Sequence, residues 1–330
     1  MKPTNEMNES DFQQANAQLL QLRAALESVI TGQARLIAGI VTSFAAGGHI
    51  LIEGLPGLGK THLAKAMAAT TDLEFSRIQC TPDLMPADIT GNEILRNGAD
   101  GDNRLEFQPG PVFANLVLVD EINRATPKAQ SSLLEAMQEQ QVTSSGTSHP
   151  LPSPFWVIAT QNPIEIEGTY PLPEAQLDRF MVKLKVDFPD ATALLAMLDI
   201  SLDSEPAAQL ETTFSQQRLM QIMQLCRQIV VSDRIKQAAV QLLLCTHPQQ
   251  QGESRHFRYG ASPRGLQALI RTARVHALMN GRLQVDLQDL EAMALPVLRH
   301  RVILTIDSEL NGIDSDELLT RLVQDWRERA

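Results

Sequence analysis

A glycine-rich loop ending in lysine and threonine occupies residues 54–61, between an apolar run and a helical pattern. Glycine lets backbone N–H groups curl around an anion, and the dipole of the following helix adds to the attraction. Lys60 is then placed to reach the outer phosphates of a nucleoside triphosphate, and the Thr61 hydroxyl to contact Mg²⁺. A strand-to-helix turn without a ligand is the alternative. The strand before the loop and the helix after it favour the phosphate site.

Two carboxylates stand together at the end of the apolar run Leu116–Asp120, which reads as a buried strand. A phosphate-loop ATPase needs such a strand next. Asp120 would hold Mg²⁺, directly or through water, and Glu121 would orient and polarise the attacking water as a general base. An Asp-Glu pair alone is mostly a solvated turn. Downstream of a phosphate loop, the pair favours the catalytic role.

Three further polar residues have two interpretations each. Asn162 follows the apolar run at 155–160, where its amide could touch the γ-phosphate or the water, or could form an Asn-Pro turn. Arg179 and Arg264 could each lie in a surface ion pair, which is the usual fate of arginine. Each could instead stabilise charge on the transferring phosphoryl group. Spacing in the sequence does not separate these alternatives.

Composition narrows the class of protein. The chain has 330 residues, of which 43% are hydrophobic, and a formal net charge of −11. Nucleic acid needs a positive field, so DNA or RNA is disfavoured as a main ligand. The cysteines Cys80, Cys226 and Cys245 are far apart and odd in number, which favours a reducing compartment over a disulfide or metal site. The N-terminus lacks an apolar signal core and no run is long enough for a bilayer, so we expect a soluble cytoplasmic protein without membrane insertion.

The pattern of apolar residues divides the chain in two. Strands alternate with helices up to about residue 190, which predicts a parallel sheet covered on both faces. Helical patterns dominate the C-terminal third. The sequence therefore predicts a flexible N-terminus at 1–14, an α/β nucleotide-binding domain at 15–190 with hairpins near 93–107 and 140–154, a linker at 191–214 and an all-helical domain at 215–330.

The motifs taken together resemble the MoxR family of AAA+ ATPases, over roughly residues 15–305. The blocks that carry the resemblance are Gly54–Thr61, Leu118–Ala125, Ala159–Pro163, Glu174–Phe180 and Ser262–Gly265, with Pro86–Gly91 and Phe107–Phe113 in support. The resemblance implies an AAA+ core with a parallel five-stranded sheet, followed by an all-helical lid. It also implies that the two hairpins point toward a central pore.

The resemblance also implies a role for each matching residue. Lys60 and Thr61 match Walker A, Asp120 and Glu121 match Walker B, Asn162 matches sensor 1, Arg179 matches the arginine finger that acts on a neighbouring subunit's ATP, and Arg264 matches sensor 2. The nucleotide-binding set implied in this way comprises Val29, Ile30, Gly32 and Gln33 near adenine, with Gly54, Leu55, Pro56, Gly57, Leu58, Gly59, Lys60, Thr61 and His62 around the phosphates. ATP and Mg²⁺ are the implied cofactors, with Mg²⁺ on Thr61 and Asp120.

By the same resemblance, the function is ATP hydrolysis by an oligomeric ring, commonly a hexamer, coupled to chaperone-like remodelling of client proteins. Metal-cofactor insertion and a von Willebrand factor A domain partner are typical of the family. A nucleic-acid-dependent motor is one alternative, and it would require positive charge at the hairpin tips. A nucleotide-switched scaffold with low turnover is the other, against which Glu121 and Arg179 argue.

Overall fold

The computed structural model describes residues 9–55, 59–97, 103–164, 168–195, 214–248 and 252–329. Its strands are β1 (Ile50–Glu53), β2 (Phe75–Gln79), β3 (Gly91–Asn97), β4 (Asn103–Pro109), β5 (Leu116–Asp120), β6 (Gln141–Ser144), β7 (Thr147–Pro150), β8 (Trp156–Gln161), β9 (Val182–Lys185), β10 (Phe257–Tyr259) and β11 (Ile303–Leu304). Its helices are α1 (Glu9–Val29), α2 (Ala34–Ala45), α3 (Lys60–Thr70), α4 (Pro86–Thr90), α5 (Pro127–Glu139), α6 (Glu174–Leu177), α7 (Gln216–Gln228), α8 (Asp233–Cys245), α9 (Pro263–Met279), α10 (Leu287–Leu298), α11 (Ile306–Leu310) and α12 (Ser315–Arg329).

A five-stranded parallel sheet forms the centre of the N-terminal part, in the order β2-β5-β8-β1-β9. Successive side chains of a strand point to opposite faces. Ile50 and Ile52 of β1 therefore join the hydrophobic cluster on one face, and Leu51 joins the cluster on the other. Because both faces are covered, the three inner strands β1, β5 and β8 are apolar at most positions, whereas the edge strands β2 and β9 carry polar residues.

The C-terminal part consists mainly of helices, and its core is continuous with one face of the sheet. Leu269 of α9, Leu290 of α10 and Trp326 of α12 are buried in the same cluster as Leu19 of α1. The predicted fold class is confirmed, with one addition. Strands β10 and β11 form a short antiparallel pair in the helical part, and runs of two or three residues are too short to show a strand period.

Helix α1 begins earlier than the predicted boundary of the N-terminal segment. Residues 9–14 form its first turns, and Phe12 packs against the main core. The Asn16 side chain donates to the Leu278 carbonyl of α9 at 2.7 Å, which ties α1 to the helical part. Residues 1–8 lie outside the described chain, as do residues 196–213 of the predicted linker.

Both predicted hairpins have antiparallel ladders. Strands β3 and β4 pair from Gly91 opposite Pro109 to Asn97 opposite Asn103, and β6 and β7 pair from Gln141 opposite Pro150. The first tip, whose acidic residues argued against nucleic acid, lies at 98–102, outside the described residues.

A buried carboxylate organises the helical part. Asp289 of α10 is fully buried and accepts hydrogen bonds from His276 Nδ1 at 2.6 Å, from both terminal nitrogens of Arg282 at 2.7 and 2.6 Å, and from the backbone N–H of Asp286 at 2.8 Å. Burial alone raises the pKa of Asp289, but these hydrogen bonds outweigh burial and hold the pKa below its usual value of 3.8. The carboxylate therefore joins α9 to the start of α10 in its charged form.

We expect Asp289→Asn to lower the free energy of unfolding by about 3 kcal/mol at pH 7, because it removes the buried negative charge that pairs with the partly buried Arg282 guanidinium. Urea unfolding measures the change. Since the folded-state pKa is lowered, the stabilisation by Asp289 is complete above pH 3.8 and is lost as the pH falls through that lowered pKa. The control is Asp233→Asn, in an exposed pair with Lys236. A comparable loss of stability in the control would contradict the assignment.

Candidate functional site

The predicted nucleotide residues meet at the carboxyl edge of the sheet. Because β1, β5 and β8 are parallel neighbours, the segments that follow them share one edge. A cavity of about 390 Å³ lies there. Its lining is polar and contains Gly59, Lys60, Thr61, His62, Lys65, Asp120, Glu121 and Asn162. Five of the ten predicted phosphate and metal contacts therefore line this cavity, namely Gly59, Lys60, Thr61, His62 and Asp120. Gly54 and Leu55 are outside its lining, and Pro56, Gly57 and Leu58 lie outside the described residues.

The predicted metal pair is in direct contact. Thr61 Oγ1 donates to Asp120 Oδ2 at 3.0 Å, although the two residues come from different elements of the chain. A hydroxyl and a carboxylate at this separation are oxygen ligands of the kind that Mg²⁺ prefers. Thr61 of the phosphate loop and Asp120 at the end of β5 therefore fit as ligands of a magnesium ion.

Two residues that the sequence analysis did not single out hold Asp120 in place. Thr160 Oγ1 donates to Asp120 Oδ1 at 2.6 Å, and Arg77 Nη2 donates to Asp120 Oδ2 at 2.8 Å. Burial alone raises the pKa of Asp120, but the hydrogen bonds that its partners donate outweigh burial and lower the pKa. Asp120 is therefore ionised at neutral pH, as a cation ligand must be. The sequence offered one signal for Thr160, a threonine at the end of an apolar run. The structure shows that this threonine is fully buried.

Lys60 lines the cavity and contacts the first two residues of the phosphate loop. It is 9% exposed, and its Nζ donates to the carbonyls of Gly54 and Leu55, the latter at 3.1 Å. Gly59, just before α3, has a φ of 76°, a left-handed conformation that glycine adopts without strain. The ammonium group is thereby held between the loop and the metal pair, where a phosphate oxygen would be its natural partner.

Glu121 has a left-handed backbone, with φ 57°, which is uncommon for a residue with a side chain and typical of functional sites. Its N–H donates to Thr160 Oγ1 at 2.9 Å, so Thr160 contacts both carboxylate residues. Its carboxylate accepts from Gln79 at 3.2 Å and pairs with Arg124 at 3.3 Å. The group therefore lines the cavity beside Asp120 without bonding to it.

Asn162 forms the predicted turn and also lines the nucleotide cavity, whereas its contact with the γ-phosphate or the water stays a prediction. Its Oδ1 accepts from the Ile164 N–H at 3.2 Å, which forms the turn around Pro163, and the residue also lines the nucleotide cavity. Its carbonyl accepts from the Asn123 side chain at 3.2 Å.

The predicted adenine contacts lie beside the chain that follows β9 and do not line the cavity. Gln33 Nε2 donates to the Asp187 carbonyl at 2.9 Å. Gly32 has a φ of 76°, and a Cβ there would lie 2.6 Å from that of Ala193. Val29 is half-buried and Ile30 is buried against the main core. The segment is thus fixed next to residues 187–193, whereas contact with a base stays a prediction.

Arg179 and Arg264 lie together in a second cavity, away from the first. This cavity, of about 260 Å³, is also lined by Gly47, Gly48 and His49, which precede β1. Arg179 precedes β9, whose Val182 pairs with Ile50 at the start of β1. Both arginines therefore lie at the amino edge of the sheet, opposite the phosphate loop.

A dense network joins the segment carrying Arg179 to the helix carrying Arg264. Ser262 caps α9 and donates to both carboxylate oxygens of Asp178, at 3.0 and 2.8 Å. Arg301 Nε donates to the same carboxylate at 2.8 Å. The Asp178 side chain thus accepts hydrogen bonds from two separate elements of the helical part. One connected set of contacts therefore joins the two segments that carry Arg179 and Arg264.

Arg301 uses all five of its N–H groups in this network. Besides the Asp178 carboxylate, it donates to the carbonyls of Asp178 at 3.1 Å, Phe180 at 2.6 Å and Met181 at 3.1 Å, and to that of Val297. It is 7% exposed, and burial lowers its pKa while Asp178 opposes that shift. Sequence reasoning gave Arg301 no such role, since its partners at residues 178–181 lie far away in the chain.

The fold and the site define the class of protein. A five-stranded parallel sheet in this order, with a phosphate loop, two strand-end carboxylates and a helical lid, is that of an AAA+ ATPase. The family model described as "ATPase family associated with various cellular activities (AAA)" matches residues 49–182, and the AAA lid domain model matches residues 249–322.

The individual relatives agree. The chain is 39% identical to Chaperone MoxR1 of Mycobacterium tuberculosis, over 91% of this chain and 79% of the relative. It is 31% identical to Protein MoxR of Paracoccus denitrificans, over 90% and 92%. A crystal structure from Cytophaga hutchinsonii, of a protein assigned to the ATPases, superposes with a TM-score of 0.87 at 36% identity over 96% of each chain. The chain belongs to the MoxR family of AAA+ ATPases, and nucleotide binding follows from that membership.

The described residues contain neither a membrane-spanning helix nor a self-contained metal cluster. None of the helices there has the length and apolar character needed to cross a membrane. Among the same residues, no group of three or more His, Cys, Asp or Glu is arranged to hold a metal ion by itself. The Thr61–Asp120 pair is smaller than such a group, since phosphate oxygens complete the shell of a nucleotide-bound Mg²⁺.

We expect Arg301→Lys to lower the free energy of unfolding by about 2–4 kcal/mol, because lysine keeps the charge but loses two of five buried donors. Amide hydrogen exchange should accelerate at residues 178–181 more than elsewhere in the sheet. Urea unfolding and mass-resolved exchange measure both effects. The control is Arg327→Lys, in a partly exposed pair with Glu291. Uniform exchange changes in the Arg301 variant would refute a local role.

Proposed function

We propose that this protein hydrolyses ATP to ADP and phosphate with Mg²⁺, in an oligomer whose neighbouring subunits complete each other's sites. One observation carries the proposal: the phosphate loop and the arginines lie at opposite edges of the same parallel sheet. A transition state that needs both must therefore lie between two copies of the chain.

Distance along the strands supports this arrangement. The pairing of Ile50 with Val182 places Arg179 level with Gly47, before β1, whereas Lys60 follows β1. At a rise of about 3.3 Å per residue, the strand and its flanking residues put roughly 20 Å between Arg179 and the phosphate loop. A side chain of arginine spans far less. The same holds for Arg264, which shares the cavity of Arg179.

The residues at the carboxyl edge have distinct roles in the proposal. Lys60 holds the outer phosphates, Thr61 and Asp120 hold Mg²⁺, and the loop N–H groups position the triphosphate. Bound Mg²⁺ would neutralise charge on the phosphates. Glu121 accepts a proton from the attacking water, and Asn162 orients that water or the γ-phosphate. The left-handed backbone of Glu121 directs its carboxylate to the cavity.

Arg179 and Arg264 act on the ATP of the adjacent subunit. A guanidinium delivered by a neighbour stabilises the charge that develops on the transferring phosphoryl group. The resemblance assigned Arg264 to sensor 2 without saying whose ATP it contacts. Its position beside Arg179 supports action on the neighbour's nucleotide.

Such an interface is heterologous, so it closes into a ring at a fixed subunit number. We propose a hexamer, in line with the family. The printed name of Chaperone MoxR1 supports a chaperone-like role, in which hydrolysis remodels client proteins. Metal-cofactor insertion and a von Willebrand factor A domain partner are the finer forms of this proposal, and they rest on family analogy alone.

The proposed domain division is a nucleotide-binding domain at 15–190, a linker at 191–214 and a lid at 215–330. It is supported by the sheet ending at Lys185 and by α7 beginning at Gln216. If the lid moves when nucleotide binds, the hydrogen bonds of Ser262 and Arg301 to Asp178 would transmit that motion to the finger segment, residues 178–181.

We expect Glu121→Gln to bind ATP and to lower the steady-state rate of hydrolysis by a factor of about 10²–10⁴, because the amide accepts no proton from water. Coupled-enzyme assay of ADP release and sedimentation in ATP measure turnover and assembly. Glu174→Gln, in the surface helix α6, is a matched control. Rapid phosphate release by the Glu121 variant would remove the general base from its role.

Mixing inactive variants tests action between subunits. Arg179→Ala and Lys60→Ala should each lose activity, by about 10³-fold for the arginine finger. In an equal mixture, about a quarter of the interfaces should be complete, because there a subunit with an intact phosphate loop lies beside a subunit with an intact arginine. Activity should return in that proportion. The same recovery is expected for Arg264→Ala mixed with Lys60→Ala.

The mixture of Arg179→Ala with Arg264→Ala serves as the control. Both arginines come from one subunit, so no interface in that mixture is complete and no activity should return. One contrary result is that activity returns when Arg179→Ala is mixed with Lys60→Ala but not when Arg264→Ala is mixed with Lys60→Ala. That result would place Arg264 in the nucleotide site of its own subunit. Full activity of a monomer would contradict the whole proposal.

A further inference from the structure

A third cavity, of about 400 Å³, lies between α2 and the lid helices α7 and α9. We call it the lid-base cavity. Its wall contains small and apolar residues and three arginines, namely Ala45, Ala46, Gly47, Met223, Cys226, Arg227, Arg271 and Arg274. It has no acidic side chain in its lining, although the whole chain carries a net charge of −11.

The three arginines of the lid-base cavity have no partner among the described residues. Every other arginine from Arg218 onward has a hydrogen bond, an ion pair or a ring contact there. The three exceptions therefore share one cavity. Exposed arginines commonly lack partners, and Arg35, which lines a different cavity, is the one further described arginine without such a contact. Three of the four unpartnered arginines of the described chain therefore share one concave site, which is not what scattered surface charge produces in an acidic protein.

Arg274 is the most informative of the three. Its Nε is buried and has no acceptor among the described atoms. Burial lowers the pKa of Arg274, and the neighbouring charge of Arg271 lowers it further. A buried donor without an acceptor is unfavourable, and like charges add to that cost. Nothing described in the protein offsets this cost, whereas an anion between the guanidinium groups would.

We propose that the lid-base cavity binds a phosphorylated small molecule through Arg227, Arg271 and Arg274. The planar guanidinium fork matches the oxygens of a phosphate and forms paired, charge-assisted hydrogen bonds. A volume of about 400 Å³ falls within the range of small-molecule sites. Met223, Cys226 and Ala46 form an apolar wall, so the non-phosphate part of the molecule has a surface to pack on.

The position of this site gives it a consequence for the ATPase. Arg271 and Gly47 also line the cavity that contains Arg179 and Arg264. An anion there would lower the positive charge beside the finger and would join α2 to the lid. This consequence rests on the proposed function, whereas binding at the lid-base cavity does not.

Binding is tested by calorimetric titration of inorganic tripolyphosphate into the full chain, without Mg²⁺ and at low salt. The Lys60→Ala substitution is used throughout, because it removes the phosphate-loop lysine as a competing site. We expect one equivalent to bind, and each of Arg271→Gln and Arg274→Gln to weaken binding by about tenfold or more. Arg227→Gln, on the exposed rim, provides a variant that does not disturb the core. The control is Arg258→Gln, which contacts Tyr259 instead.

The source of the phosphate is distinguished by a second titration with ADP. Tighter binding than tripolyphosphate, lost in Arg274→Gln, identifies a nucleotide whose base packs on the apolar wall. Weaker binding that is also lost in Arg274→Gln identifies a phosphorylated molecule without a base. Absence of tripolyphosphate binding, or binding that all three arginine variants retain, overturns the proposal. If those variants instead dissociate the oligomer, the cavity receives carboxylates of a second copy and the proposal is wrong.

Discussion

One parallel sheet separates the phosphate loop from Arg179 and Arg264, and this separation is the constraint on which the rest of the structure depends. Parallel pairing sends the phosphate loop, Asp120 and Glu121 to the carboxyl edge and leaves the segment before β9 at the amino edge. Neither the loop nor the finger segment can cross the sheet without breaking its ladder, since every central strand is paired on both sides. In the proposed oligomer, the fold would therefore supply half of a hydrolytic site at each edge. The lid arginine is added to the edge that already has the finger.

Buried polar contacts fix each half independently. At one edge, Thr160 links the Asp120 carboxylate to the Glu121 backbone. At the other edge, Arg301 saturates its donors on the finger segment. These contacts are costly to break because the polar groups are buried. Each edge is thus held by its own set of buried contacts.

The sequence predicted the elements with a local signal and missed those that tertiary contacts create. The Asp120–Glu121 pair and the five strands of the parallel sheet follow from spacing and apolar runs, and the structure contains them. The phosphate loop also follows from spacing, and the structure describes its residues 54, 55 and 59–61. Strands β10 and β11 were missed because they are too short for a periodic pattern. Thr160, Arg77 and Arg301 acquire their roles from partners on other elements, which no spacing reveals. The shared cavity of Arg179 and Arg264 likewise depends on how α9 packs against the sheet.

Opposite edges have a consequence for how activity depends on dilution. If the proposed oligomer forms, the two terminal copies of an open arc each present one half-site that nothing completes, whereas a closed circle has none. The specific rate per copy would then rise when the last gap closes, even if every individual contact had the same strength. In the proposed ring, cooperativity in protein concentration would follow from the direction of the five strands.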